Sequence, residues 1–298
     1  MDRNKQLYST KKGLANILIR PLLVDENQIW EMAAKFSKAE VAYKTMNEEQ
    51  HQKKHEYRGA FNAGLIELIP SGAKKFLDVG CADGAFGEYL LSSGLAEEVV
   101  GLEINPVTAE IAAKRLSKVH CGNAEELELP YPEEYFDCLI YGDALEHMRE
   151  PEKLLIKHLK HLKCGAHVIC SIPNIRNLFI INHLINGNWT YTDWGILDRT
   201  HLRFYTRKEI LKMMSEVALI VEQVNPSLRE GEWYAKMYGA EYVDAEFIKL
   251  YNNLLQICLK TENISVWLKK LFPLVDFSQG EAVELFVAQF HLRARKDG

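Results

Sequence analysis

The sequence predicts an α/β fold built on a mostly parallel, seven-stranded sheet with helices on both faces. Three observations carry this. From residue 73 onward, short runs rich in Val, Ile, Leu and Phe alternate with segments of helical periodicity, the pattern of strands joined by crossover helices. The first run enters a turn punctuated by Gly80, Gly84 and Gly87. The second ends in a carboxylate, Glu103. A strand, a glycine turn opening a helix and an acid closing the next strand form the arrangement of a nucleotide-binding βαβ unit.

The strands are placed at 75–79, 98–103, 117–121, 136–141, 167–172, 218–224 and 283–292, with helices at 85–93, 106–116 and 150–163. Residues 1–72 repeat apolar positions at spacings of three and four (Ile29, Trp30, Ala33, Phe36, then Tyr57, Phe61, Leu65, Leu68) and are expected to form an N-terminal helical cap. Residues 226–280 do the same at Phe247, Tyr251, Leu254, Leu255 and Cys258, which predicts a helical insertion before the last strand. The expected organisation is a 1–72 cap, a 73–225 core carrying a lid at 174–205, a 226–280 insertion and a last core strand in 281–298. A loop as long as the lid is uncommon unless it has a function.

A chain of 298 residues accommodates one to two domains, and 47% hydrophobic with 26% charged residues excludes a disordered class. The net charge of −5 argues against a dedicated nucleic-acid binder, so the basic side of the helix at 152–163 reads as a solvated face. The six cysteines form no Cys-x-x-Cys pair and fall mostly in or beside predicted buried strands, the usage of reduced thiols and of a cytoplasmic setting. The apolar piece at 14–23 is broken by Asn16, Arg20 and Pro21, so neither a signal peptide nor a membrane span is expected. His51 and His55 share a helix face but lack a third ligand for a metal.

Glycine spacing narrows the ligand. A dinucleotide fingerprint needs Gly-x-Gly-x-x-Gly, whereas position 82 is Ala, and the one Tyr-x-x-x-Lys, Tyr8 to Lys12, precedes the βαβ unit. Asp78 places a negative charge where a pyrophosphate would be repelled and a cation attracted. S-adenosylmethionine, with its sulfonium and ammonium, fits better. The stretch Leu77-Asp-Val-Gly-Cys-Ala-Asp-Gly84 resembles the first motif of the class I S-adenosylmethionine-dependent methyltransferases, Leu-Asp-Val-Gly-Cys-Gly-x-Gly, with Ala82 in place of the middle glycine. The resemblance covers about residues 73–225 plus the final strand and implies a Rossmann-like core whose last strand inserts antiparallel beside the preceding one. It also implies that Asp78 and the Gly80 backbone hold the methionine end of the cofactor and that Glu103 chelates both ribose hydroxyls. Asn123 either accepts from the adenine amino group or closes its own turn. Cys81, Ala82, Gly84, Ile104, Ala124 and Asp143 complete the expected cofactor contacts.

Two further stretches bear on chemistry. In Tyr141-Gly-Asp-Ala-Leu-Glu-His-Met148, helical geometry would converge Asp143, Glu146 and His147, and His201 could join them. This resembles the Glu-x-x-Glu-His plus distant His of small-RNA 3′-end 2′-O-methyltransferases and related quinone O-methyltransferases, with Asp143 replacing the first Glu. The two readings are an unmetallated polar pocket, which is favoured, and a divalent-metal site made by Asp143, Glu146, His147 and His201. The segment from Asn188 to Thr206 resembles the Leu-Asp-x-Thr-His-Leu-Arg-Phe-Phe-Thr signature of bacterial methyltransferases that accompany glycosyltransferases in surface-polysaccharide pathways. Here His201 is either the general base, the favoured reading, or a structural histidine bonding the loop backbone, with His147 and Asp143 as further catalytic candidates. Trp189, Tyr191 and Trp194 either stack on a sugar or other ring or pack the lid. Asp198, Arg199 and Arg203 orient His201, hold an anionic acceptor group or form ordinary ion pairs, and Asn174 either presents an amide to the acceptor or closes a turn. Thr206 with Glu209 forms a capping box.

The resulting expectation is an S-adenosylmethionine-dependent methyltransferase acting on a hydroxyl of a sugar or sugar-linked small metabolite. A metal-assisted 2′-O- or catechol-type enzyme and a non-catalytic S-adenosylmethionine-binding protein are the alternatives. The expected partner is a small-molecule or glycan-linked acceptor, and a homodimer is compatible with the sequence.

Overall fold

The computed structural model describes residues 61–238, 244–260 and 279–297. Among these run β1 (Lys75–Val79), α1 (Ala85–Ser92), β2 (Glu98–Glu103), α2 (Pro106–Ala112), β3 (Lys118–Cys121), β4 (Phe136–Gly142), α3 (Pro151–Leu159) and β5 (Leu162–Pro173). They are followed by α4 (Leu178–Ile185), α5 (Arg207–Glu216), β6 (Leu219–Leu228), α6 (Gly231–Tyr238), α7 (Ala245–Lys260), α8 (Gln279–Glu284) and β7 (Val287–Lys296). The seven strands form one sheet in the order β3-β2-β1-β4-β5-β7-β6. Pairings from β3 to β5 are parallel, and β7 inserts antiparallel between β5 and β6. This is the Rossmann-like architecture expected, including the reversed last strand.

Strand alternation divides the core between the two faces of the sheet. Leu77 and Val79 of β1 join Val100, Leu102, Leu139 and Tyr141 in one buried cluster. Phe76 joins Val99, Cys138 and Ile140 in the other. Because both faces are covered, the central strands carry apolar residues at nearly every position, as parallel sheets require. Between β1 and β4 the direction of winding reverses, with β2 and β3 laid to one side and β5 to the other. The crevice above the carboxyl ends of these two strands is where open α/β sheets bind ligands.

Several boundaries differ from those expected. β5 begins at Leu162, directly after α3, β6 continues to Leu228, and β7 starts at Val287. Ahead of β7, the Glu284 carboxylate takes hydrogen bonds from Arg176 Nη1 (3.2 Å) and Arg207 Nη1 (3.0 Å). The lid is not a simple loop, since it contains α4, capped by the Asn177 side chain on Phe179 N. Thr206 caps α5 through Glu209 N as the capping motif predicts. Cys81, Cys138 and Cys170 are buried, whereas Cys121 and Cys164 are exposed, so burial of the thiols holds for only part of the set. Most of the predicted cap, including His51 and His55, lies outside the described residues; Asn62 caps a short 3-10 helix, Ala63–Leu68, that buries Leu65 and Leu68. Residues 61–244 with 284–297 belong to one compact unit, and 245–260 with 279–283 to a second. Among the described residues no helix is long and apolar enough to cross a membrane.

Of its two readings, Asn174 takes the turn, and it adds a clamp between strand ends. It follows β5 and is fully buried, with its amide donating to the carbonyls of Glu284 (2.8 Å) and Val287 (2.9 Å) and its oxygen accepting from Arg176 N (3.0 Å). Its polar capacity ties the end of β5 to the start of β7, so it is not free to meet an acceptor. Val287 O also accepts from Asn177 Nδ2 (3.1 Å), so Asn174→Ala removes the side-chain donor to Glu284 O and one of two to Val287 O, and should destabilise the fold by about 2 kcal/mol, read as a lowered denaturant midpoint.

Candidate cofactor and active site

The turn after β1 is built by alternating left-handed residues. Gly80 has φ 75°, Ala82 48° and Gly84 81°. The two glycines adopt this region freely, whereas Ala82 accepts about 1 kcal/mol of strain where the resembling motif has glycine. The N–H groups of Gly80 and Cys81 both donate to Leu102 O (2.8 and 3.0 Å), which locks the turn against the end of β2. Asp83 sits behind it, accepting from Ala85 N (3.2 Å) and pairing with Arg115 (2.8 Å), so this third acid of the region serves the helix start.

Glu103, at the end of β2, accepts from Ala82 N through Oε2 (3.0 Å) and from Asn105 N through Oε1 (2.8 Å). The carboxylate is thereby fixed in direction by two backbone amides. Asp78 is 4% exposed, and burial followed by the charge of Glu103 pushes its carboxyl up to about 7. Two carboxyl groups at the mouth of a glycine turn make a local field that favours a cation. Beside them lies a cavity of 350 Å³ lined by Gly80, Glu103, Ile104, Asn123, Ala124 and His147 among others, a volume in the usual range for small-molecule sites. Asn123 closes a turn, its oxygen accepting from Glu125 N (3.0 Å) and its amide donating to Glu126 (3.0 Å). Of the two readings of Asn123, the turn is the one formed, with the second lone pair of the oxygen still open.

Beyond the cavity, β4 ends at Gly142 and the chain passes through Asp143 in a left-handed conformation, φ 52°, into the short 3-10 turn Leu145–His147. Asp143 therefore lies outside the helical turn that was expected to gather it with Glu146 and His147. Its backbone N–H donates to Ser171 Oγ (2.9 Å), and its carboxylate takes hydrogen bonds from Gln289 and, at 3.4 Å, from Asn62. Surrounding protein pushes its carboxyl up to about 6.

Glu146, His147 and His201 do converge, each offering a ligand atom within 4.8 Å of the others. The set differs from the one expected by losing Asp143. Glu146 is 1% exposed, and neither carboxylate oxygen has a hydrogen-bond partner among the described residues. Burial and the charge of Asp143 hold its carboxyl well above the usual range. His201 is buried, with Nδ1 against Ile196 O (3.1 Å) and Nε2 3.9 Å from Glu146 Oε1. The carbonyl partner places the proton on Nδ1 and leaves the Nε2 lone pair facing Glu146 and His147. Burial and then His147 lower the His201 pKa, so the ring is neutral near pH 7. An orphaned carboxylate with two imidazoles fits a divalent transition metal by donor type, and a neutral imidazole equally fits a proton acceptor.

The remaining lid residues divide. Trp189, Tyr191 and Trp194 are exposed and meet edge to face with one another's neighbours, Trp189 with Tyr191 and Phe204, Trp194 with Trp233. Arg199 forms a surface pair with Asp193 (2.7 Å), and Arg203 donates to Arg149 O. Asp198 braces Thr200 rather than orienting His201, accepting from its N (2.7 Å) and hydroxyl (2.6 Å). Met148, Arg149 and Leu202 also line the cavity. No local pattern marks them as ligand contacts, although Leu202 lies within the lid signature.

Comparison with known proteins agrees with this geometry. Residues 77–170 match the family model described as a methyltransferase domain. A ubiquinone biosynthesis O-methyltransferase of Aliivibrio fischeri strain MJ11 is 31% identical over 157 residues, 49% of this chain and 64% of the relative. A demethylmenaquinone methyltransferase of Halalkalibacterium halodurans is 28% identical over 130 residues, 39% of this chain and 53% of the relative. The chain thus spans less than two thirds of the length of these curated relatives. The crystal structure of a SAM dependent methyltransferase from Archaeoglobus fulgidus is similar at TM-score 0.49 and 20% identity, over 78% of this chain and 90% of that one. Residues 77–170, running from β1 into β5, thus resemble a methyltransferase domain.

Proposed function

We propose that the protein is an S-adenosylmethionine-dependent O-methyltransferase acting on a hydroxyl of a sugar or sugar-linked small metabolite. The observation that carries the reading is Glu103, held by two backbone amides beside the glycine turn and facing a cavity of 350 Å³. When bound, S-adenosylmethionine supplies an electrophilic methyl group on a sulfonium. Glu103 presents one carboxylate to two vicinal ribose hydroxyls, and buried Asp78 offers its charge to the cationic end. His201 Nε2 takes the proton of the acceptor hydroxyl as the oxygen attacks the methyl carbon and the carbon–sulfur bond breaks, giving a methyl ether and S-adenosylhomocysteine. Most of the rate enhancement comes from aligning oxygen, carbon and sulfur. The exposed rings of Trp189, Tyr191 and Trp194 support an acceptor with a flat or ring-shaped face, and the name of the Aliivibrio fischeri relative supports oxygen as the methylated atom.

A second reading, metal-assisted transfer to a catechol-type or 2′-hydroxyl acceptor, is favoured by Glu146, His147 and His201. In it the three side chains hold a divalent cation that would lower the pKa of the acceptor hydroxyl, and Glu146 gains the partner it lacks.

Three measurements test these readings. Calorimetric titration with S-adenosylhomocysteine should give micromolar binding that Glu103→Ala weakens by about 10- to 100-fold, the worth of a charge-assisted pair; no binding by either protein would sink the cofactor assignment. Asp78 must be ionised to attract a cation, and its raised pKa means that the ionised form is lost as pH falls through about 7. The affinity for S-adenosylmethionine should therefore drop about tenfold between pH 8 and pH 6, and Asp78→Asn should be weak and nearly flat with pH. Finally, transfer to glycoside and catechol panels should be insensitive to a chelator if the first reading holds. Loss of transfer with chelator, its return with Mn²⁺, and its absence in Glu146→Ala would establish the second.

A further inference from the structure

The lid segment Thr200–Arg203 touches two places at once. Leu202 N and Arg203 N both donate to Glu146 O, at 2.8 and 3.1 Å. His147 Nδ1 lies 3.2 Å from Thr200 O and 3.1 Å from its hydroxyl, and Asp198 braces the same threonine. Arg203 reaches over to Arg149 O. This pinning puts His201 against Glu146 and His147, while the next side chain, Leu202, lines the cavity that holds Glu103 and Ile104. Leu202 is 54% exposed and Ile104 is 67% exposed. They enter the cavity from different elements, one from the lid and one from the end of β2. A large aliphatic side chain fixed by its backbone at a cavity edge, yet left to water, gains free energy when a planar apolar face covers it.

We propose that Leu202 is an adenine-covering residue, so that the nucleoside site is complete only with the Thr200–Arg203 segment docked on Glu146. The proposal rests on reading the cavity as a nucleoside site. Its consequence is linkage: whatever displaces the lid also removes one wall of the cofactor cavity, and a bound cofactor holds His201 in place.

The test is titration of the full chain with S-adenosylhomocysteine and with 5′-methylthioadenosine, which keeps the nucleoside and lacks the amino-acid end. Leu202→Ala should weaken both ligands alike by about fivefold, the worth of part of a leucine's burial. Leu202→Asp should weaken both further, Leu202→Met should bind like wild type, and thermal melts of all variants should coincide because the position is exposed. Wild-type binding of both ligands with unchanged Leu202→Ala and Leu202→Asp affinities would overturn the proposal while leaving the cofactor reading intact. Weakening of S-adenosylhomocysteine without weakening of 5′-methylthioadenosine would also overturn it, placing Leu202 at the amino-acid end. Failure of the wild type to bind either ligand would remove the nucleoside site itself, and the proposal with it.

Discussion

The structure depends on one turn, the reversal from β1 into α1 between Gly80 and Gly84. Within five residues the backbone visits the left-handed region three times, which directs successive N–H groups into the end of β2 instead of into a helix. Two of those groups take Leu102 O and a third takes Glu103 Oε2. The strand ends are locked together by the same bonds that aim the carboxylate. Ala82 is strained here, and its N–H to a carboxylate is a charge-assisted bond of a kind strong enough to offset about 1 kcal/mol. Turn and acid are thus one unit, which is why a glycine pattern and a distant Glu signal the same site.

Glu146 plays the corresponding role on the far side of the cavity, in two separate ways. Its carbonyl anchors the lid through two N–H groups, and its side chain sits among His147 and His201 with unpaired oxygens. Because the anchoring is done by backbone, lid docking does not require the carboxylate. The carboxylate is therefore free to serve chemistry, and substitutions there are expected to separate lid position from site function. The cavity and the histidine pair share His147 and the tetrapeptide Thr200–Arg203, and the tetrapeptide is held to the Glu146–His147 turn by a few hydrogen bonds.

What the sequence made legible follows from range. The glycine turn, the strand alternation and the Thr206 cap are local, set by residues a few positions apart, and each forms although several strand ends move; Glu103 was placed by its position at the end of the second strand. The antiparallel last strand followed from the family resemblance rather than from spacing. Convergence across long separations was only half readable: His201 meets Glu146 as the ligand-type argument allowed, but Asp143 departs because its positive φ breaks the helical turn that the spacing assumed. For Asn174 the local turn was readable, but its clamp was not, because Glu284 and Val287 lie more than a hundred residues away. Leu202 was invisible as a cavity-lining residue because an exposed leucine is ordinary until a cavity is seen beside it.

The unpaired state of Glu146 is the remaining physical tension. An ionised carboxylate buried without donors costs several kcal/mol, far more than a surface acid, so the group responds by holding a proton above its usual pKa or by gaining a cation. The two responses are exclusive at one oxygen pair, and they make opposite demands on His201. With Glu146 neutral, the Nε2 lone pair of His201 is free to accept a proton from an acceptor hydroxyl. With a cation bound, that lone pair is occupied, and deprotonation of the acceptor passes to the metal's field, with release of a proton from Glu146 on metal binding. Proton release on addition of a divalent cation at neutral pH is therefore the signature that separates a proton-accepting histidine from a ligating one.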